Sequence, residues 1–289
     1  MTKTVDTLVR DIYNMMRTKE LDPAVDLESE VQRFGEEMKD VMRAFMGAGE
    51  RDTRKLRLSQ IGKPNRQIFN AYHGVPGEDI VGATFIKFLY GHLVEAMMVS
   101  LVRMSGHTVT DQQKEVEVGG VKGHIDGRID GVVMDVKSAS GHSFKKFRKN
   151  TLHEDDPFGY IGQLKAYAHA EGESTYGWLA MCKQSGQIAW LQYDENDPDA
   201  PYRDAIDWSV PERIAEIKKL VGEAEPPSLC YPDVLDGSSG NRKLHNGCTW
   251  CPYKHECWPT LRTFAYANGP KYLTHVERVP RVMEIPSDF

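Results

Sequence analysis

The chain has 289 residues, enough for one large domain or two small ones, and carries 36 Lys and Arg against 42 Asp and Glu, a formal net charge of −6. With 40% hydrophobic and 27% charged residues, and no low-complexity tract or short repeat, it is not expected to be disordered, collagenous or coiled coil. No apolar run reaches the ~18–20 residues of a membrane span, and the opening MTKTVDTLVRDIYNMMR lacks an apolar signal region. The expected compartment is therefore the cytoplasm, with no membrane partner. Net acidity argues against a non-specific polycation and is silent about local patches.

Residues 27–47, LESEVQRFGEEMKDVMRAFMG, space Val31, Phe34, Met38, Met42 and Phe45 along one face and predict an amphipathic packing helix. In the following RDTRKLRLSQIGKPNRQIF, Arg51, Arg54, Lys55, Arg57, Lys63 and Arg66 are opposed only by Asp52. That stretch reads either as a solvated basic loop or as a phosphate-contacting segment. Residues 79–104 predict a strongly apolar helix interrupted by Lys87, His92 and Glu95, and a carboxylate in such a helix needs a reason. From 113 to 138 the period changes to two, with turns at Gly119-Gly120 and Asp130-Gly131, which predicts three antiparallel strands. A polar irregular stretch, a helix in YIGQLKAYAHAEG, a hairpin of TYGWLAMCK and GQIAWLQYD, a helix over 202–222 and a cysteine-rich tail complete the chain. Helix, three strands, helix, strand predicts an α/β core with a mixed sheet, flanked by a helical N-terminal region and a C-terminal tail. The expected division is 1–78, 79–200 and 201–289.

With Asp130-Gly131 as a two-residue hairpin loop, Asp126 faces Asp135 and His124 faces Lys137, so all four project from one side of the sheet. Ile125, Ile129, Val132, Met134 and Val136 form the other side, expected to be the buried one. Two opposed carboxylates repel unless a cation lies between them, and a hard divalent ion such as Mg2+ suits oxygen ligands. Glu95 is a candidate third acidic ligand, with His92 one turn earlier on the same helical face. Lys137 is placed to stabilise developing negative charge or to help orient and deprotonate a water.

Glu95, the GHIDG containing Asp126, the DVK containing Asp135 and Lys137, and Gln163 and Tyr167 in YIGQLKAYAHA resemble the PD-(D/E)XK nuclease superfamily, particularly its RecB-like exonuclease branch with a Q-x3-Y motif. The resemblance spans roughly residues 80–195, and Asp135 stands where many members have Glu. It implies a restriction-endonuclease-like fold in which Glu95, Asp126, Asp135 and the Val136 carbonyl hold Mg2+ or Mn2+, with His92 a further metal candidate. Lys137 would position the attacking water or stabilise the transition state, and Gln163 and Tyr167 would orient Lys137 or the DNA strand. The implied activity is metal-dependent exonucleolytic cleavage from DNA ends in recombination, repair or phage DNA metabolism, in the host cytoplasm if phage-encoded. Two alternatives stand beside it: a structure-specific or restriction-like endonuclease, and a non-catalytic DNA-binding subunit.

Cys248, Cys251 and Cys257 crowd into CTWCPYKHEC, with Cys230 upstream, while Cys182 reads as core packing. Four thiolates suit either a [4Fe-4S] cluster or a structural zinc. The tail resembles the iron–sulfur module of RecB-like nucleases, whose fourth cysteine usually lies upstream of the nuclease core, in a segment resembling S-x-I-G-x-C-x-R. Here Pro64 occupies that cysteine position, which leaves Cys230 as the fourth ligand of a cluster, or zinc with His245 or His255 as an added ligand. HSFKKFRKN contributes Lys145, Lys146, Arg148 and Lys149, interleaved with Phe144 and Phe147. Cations for phosphates beside rings for stacking suit single-stranded DNA; a solvated helix with two buried phenylalanines is the other reading. Arg54, Arg57 and Arg66 complete the expected DNA contacts.

Overall fold

The structure is a computed structural model, and it describes residues 3–47, 54–79 and 81–286. Arg51 and Asp52 of the basic stretch lie outside those residues.

Two helices open the fold: α1 (Leu8–Thr18) buries Leu8, Ile12 and Met15 at helical spacing, and α2 (Leu27–Gly47) has the predicted bounds. No residue of α2 is fully buried, however, and Val31 and Met42 of its apolar stripe are exposed. A polar clasp holds this helix: the buried Arg103 donates to Glu30 (2.8 Å) and to Glu37 (3.0 Å). The basic stretch is not one continuous loop. It contains a buried Leu58 and Ile61 and then α3 (Asn65–Tyr72), all packed into the core. Next, α4 (Gly82–Met104) buries its C-terminal half through Val94, Met98, Val99 and Val102. By length and composition α4 is apolar enough to cross a membrane, although two-thirds of the qualifying window is unburied and its far end rests on the sheet.

The sheet region holds β1 (Val109–Thr110), β2 (Glu115–Val118), β3 (Val121–His124), β4 (Gly127–Ile129) and β5 (Val132–Ala139). The predicted middle strand is thus two strands, broken at Ile125-Asp126. Strand β3 pairs with β2, with Glu115 opposite His124, and meets Arg57 in an isolated β-bridge at Lys122, while β4 joins the main sheet. The Asp130-Gly131 register is the expected one, with Ile129 opposite Val132 and Gly127 opposite Met134. Gly127 makes the break possible: its φ is +150°, and a Cβ there would lie 3.0 Å from the Thr110 carbonyl oxygen.

Helix α5 (Gly141–Arg148) and helix α6 (Tyr160–Ala170) cross over to β6 (Thr175–Cys182), which runs parallel to β5, and β7 (Ile188–Asp194) returns antiparallel. The sheet order is β1-β4-β5-β6-β7, a mixed five-stranded sheet consistent with a restriction-endonuclease-like fold. Both of its faces are buried, because the crossover helices must hide their apolar sides on it. On one face lie α1 and α4, over Ile129, Met134, Val136 and Leu179. On the other, α5 and α6 cover Val133, Tyr176, Trp178 and Ala180. The expectation of one buried face and one polar face is corrected accordingly.

The predicted helix over 202–222 is interrupted. It divides into α7 (Arg203–Ile206) and α8 (Val210–Leu220), because Ser209 caps α8 through the Glu212 N–H and Pro211 occupies its first turn. The tail is richer than expected. It comprises β8 (Val234–Leu235), β9 (Arg242–Lys243), α9 (Asn246–Thr249), α10 (Lys254–Cys257), β10 (Arg262–Tyr266), β11 (Gly269–His275) and β12 (Glu284–Ile285), whose strands form a second, antiparallel sheet. The main core joins Leu58, Ile61 and Ile68 to Ile214, Ile217 and Val221, so it continues across positions 78/79 and 200/201.

Candidate active site

Asp135 and Lys137 lie two residues apart on β5 and share the face covered by α6. Asp135 is 2% exposed, and Lys137 Nζ lies 2.5 Å from its Oδ2 as an ion pair. Apart from this ammonium, that oxygen has no hydrogen-bond partner. From α6, Gln163 Nε2 donates to the other oxygen, Oδ1, at 3.2 Å. Asp126 enters from the break before β4, and its Oδ2 accepts the Val136 N–H at 2.8 Å. The two carboxylates are therefore neighbours, as the hairpin register predicts.

Electrostatics reports the same closeness. Burial, then the charges of Asp135 and Glu95, raise the Asp126 pKa well above the carboxylate range. Asp135 is also raised, by burial foremost, with Lys137 pulling the other way and Glu95 adding to the rise. For Lys137 burial opposes the charge, yet Asp135 and Asp126 outweigh it and hold the ammonium's pKa well above its usual value.

Glu95 projects from α4 toward this pair but is half-exposed; its Oε1 accepts from Gln113 Nε2 at 3.0 Å, and His92 Nδ1 lies 3.9 Å from its Oε2. As the side chains stand, no three carboxylate, imidazole or thiolate groups among the described residues converge tightly enough to enclose an ion. His124, expected to face Lys137, instead belongs to the β2–β3 hairpin and is 3.8 Å from Glu115 Oε2. The break at Asp126 removes it from the site.

Tyr167 is 3% exposed, and burial raises its hydroxyl pKa to about 12, with a Gln163 hydrogen bond opposing the rise. It fits only because residue 123 is glycine: a Cβ there would meet Tyr167 Cε1 at 2.6 Å. Tyr160 escaped the sequence reading. Its ring lies under Lys137 Nζ, 4.6 Å from the centroid, and it opens the same helix three residues before Gln163, a spacing that puts both on one face. Asp156 fixes that helix end by accepting the N–H groups of Tyr160 (3.0 Å) and Ile161 (2.9 Å).

The expected DNA contacts fare unevenly. Lys145, Arg148 and Lys149 are exposed on α5, whereas Lys146 is tied to the Asp155 carboxylate at 2.5 Å. Phe144 and Phe147 are both 2% exposed, packed under α5, and so are corrected from stacking rings to core residues. Arg54 is exposed and Arg57 half-buried in a bridge to Lys122. Arg66 is corrected too: its guanidinium donates to the Pro227 carbonyl at 2.6 Å and to the Cys257 thiol.

That correction leads to the cysteines. Cys230, Cys248, Cys251 and Cys257 line one pocket together with Pro64 and Arg66. Burial, followed by the charges of the other three thiols, raises the Cys248 pKa to about 12. Each of the two histidines considered as ligands has one ring nitrogen engaged. His245 Nδ1 accepts from the Gly247 N–H and its ring stacks on Tyr231, while His255 Nε2 lies 3.0 Å from Glu78. Cys182 is buried in the core, as expected.

No known protein-family model and no curated protein matches the chain. Among solved structures it is similar to SSO0001, at 12% identity and a TM-score of 0.38 over 78% of this chain and 96% of that one. It is also similar to the alkaline exonuclease LHK-Exo from Laribacter hongkongensis, at 13% identity and a TM-score of 0.37 over 59% of this chain and 86% of that one. The same exonuclease in complex with dAMP gives 13% identity and 0.37 over 59% and 91%. Likeness of this degree speaks to neither activity nor substrate, which have to be argued from the side chains.

Proposed function

We propose that the chain is a divalent-metal-dependent deoxyribonuclease that hydrolyses phosphodiester bonds from DNA ends. The observation that carries this reading is the meeting of Asp126, Asp135 and Lys137 in one buried site, with Gln163 bonded to Asp135. The resemblance of that Gln and Tyr167 to the RecB-like motif favours an exonuclease.

The residues fit a hard cation. Three carboxylates and a backbone carbonyl are oxygen donors, and the buried Asp135 Oδ2 has no partner besides the Lys137 ammonium. Glu95, Asp126, Asp135 and the Val136 carbonyl would hold Mg2+ or Mn2+. Glu95 is engaged by Gln113 and His92 at the surface and would exchange these contacts for the ion. When bound, the ion supplies Lewis acidity, neutralising phosphate charge and lowering the pKa of a water.

Lys137, in contact with Asp135, would stabilise negative charge that grows on the phosphoryl oxygens. Tyr160 beneath it and Gln163 beside Asp135 fix the ammonium and the carboxylate in place. Tyr167 keeps its proton near neutral pH and so serves as a hydrogen-bonding support for Gln163.

For the four thiols we propose a [4Fe-4S] cluster in a structural role, with zinc as the alternative. Arg66 Nε and Asn70 Nδ2 are buried donors without partners in the same pocket. Acceptors on the occupant would satisfy them, and a cluster carries sulfides where a bare zinc ion does not.

The decisive experiment digests end-labelled linear DNA beside closed circles in Mg2+ or Mn2+. Linear DNA is expected to be degraded and circles spared, with Asp135→Ala and Lys137→Ala each reducing the rate by about 10³-fold or more. Cleavage that persists in both variants would remove the proposed site, and cleavage of circles would make the enzyme an endonuclease.

A further inference from the structure

The N-terminal half of α4 is exposed on nearly every side, although Val81 at its cap, Phe85, Ile86, Phe88 and Tyr90 are large and apolar. A helix with apolar residues all round ordinarily lies buried. Position along the helix sorts these residues. At 100° per residue, Phe85, Phe88, His92 and Glu95 fall within one narrow face, whereas Ile86 and Tyr90 point elsewhere. Phe85 and Phe88 are 47% and 48% exposed and touch edge to face, with ring centroids 6.2 Å apart. Glu95 on this face acts on the charges of both Asp126 and Asp135, whereas Gly91 approaches Ser138 Oγ on the side of β5 away from Lys137. The exposed rings therefore lie on the helical face that leads to the candidate site through Glu95, about 10 and 15 Å along the helix from it.

We infer that Phe85 and Phe88 form a base-stacking platform for a single DNA strand whose neighbouring phosphates lie at Asp126, Asp135 and Lys137. The inference rests on the nuclease reading and gives that site a preference for unpaired nucleotides. Stacked bases advance about 3.4 Å per step, so the two rings meet bases roughly three to five nucleotides from the reacting phosphate. Rings stack on any base, and a duplex hides the base faces that they need. On the same face the exposed His92 sets a polar ring between Phe88 and the Glu95 carboxylate, so the rings lead into the candidate site rather than away from it. The platform takes the place of Phe144 and Phe147, which the core conceals.

The test uses the full-length protein carrying Asp135→Ala, so that binding is read without cleavage. Fluorescence anisotropy compares an oligothymidine with an abasic strand of equal length and charge. The parent is expected to bind the oligothymidine at least 10-fold more tightly, and Phe85→Ala with Phe88→Ala to abolish that difference while leaving affinity for the abasic strand and its salt dependence unchanged. Equal affinity for both strands in the parent, or a base-dependent difference that survives the double substitution, overturns the platform. So does a double substitution that instead dissociates an oligomer in sedimentation or releases the protein from phosphatidylcholine vesicles. Both exposed positions tolerate alanine without loss of packing, and a thermal melt checks this. The nuclease reading fails separately, if protein with the native site cleaves no DNA.

Discussion

Asp126 has a pKa raised by burial and by its carboxylate neighbours, so its charge is least costly when the chain is unfolded. The unfolded carboxyl ionises near pH 3.9, the folded one only well above it, and stability therefore falls as pH climbs through that interval. Asp126→Asn keeps an oxygen to accept the Val136 N–H and removes the charge. In EDTA at pH 7 it is expected to raise the melting temperature by about 2–4 °C, corresponding to about 1 kcal/mol, and the gain should vanish near pH 3.5. The same variant should lose cleavage. A lower melting temperature at pH 7 would mean that the carboxylate is favourably held. At this scale the nearness of Asp126 to Asp135 was legible from the two-residue turn, although the ladder itself ends at Gly127 opposite Met134. The exclusion of His124 was not, because only the backbone path around Gly127 reveals that the strand changes sheet.

Among the elements, α6 is held at both ends. Asp156 caps its start, and just past its end Glu171 Oε2 accepts from Lys114 Nζ (2.7 Å) and Arg128 Nη2 (2.9 Å), linking the helix to β4. The hydrogen bond from Lys114, against opposing burial and with help from Arg128, lowers the Glu171 pKa. A depressed folded pKa adds stability above the unfolded value and loses it as pH falls through the folded one. Glu171→Gln should thus cost about 1–2 kcal/mol in urea unfolding at pH 7, a cost that shrinks toward zero at pH 3. A difference unchanged at pH 3 would show that the pair is not electrostatic. Helix α2 teaches the opposite lesson about legibility. Its periodicity predicted its bounds, yet not its exposure, because the apolar stripe says nothing about how much partner surface the fold provides. The β10–β11 hairpin was readable in principle from Asn268-Gly269 between alternating residues, although the structure turns at Ala267-Asn268.

Over the whole molecule, the cysteine pocket ties the C-terminal region to the α3–α4 segment. Glu78 accepts from the buried Lys254, its N–H donates to the Pro252 carbonyl, and Arg66 on α3 reaches Cys257. A metal bound by the four thiols would add folding free energy to this junction. Protein purified without oxygen is expected to be brown with broad visible absorption, and Cys230→Ser to lose both colour and several degrees of melting temperature. Colourless protein containing zinc would overturn the cluster.

The alternation of helix, antiparallel strands, helix and hairpin in the central part of the chain and the Asp130-Gly131 register were legible in the sequence alone, because strand alternation, turn residues and helix spacing act over a few residues. Only the tertiary structure decided which rings are buried, which cations are already paired, and that Pro64 and Arg66 line the pocket of the four thiols. Those outcomes depend on packing between elements far apart in the chain, where no local pattern carries the information.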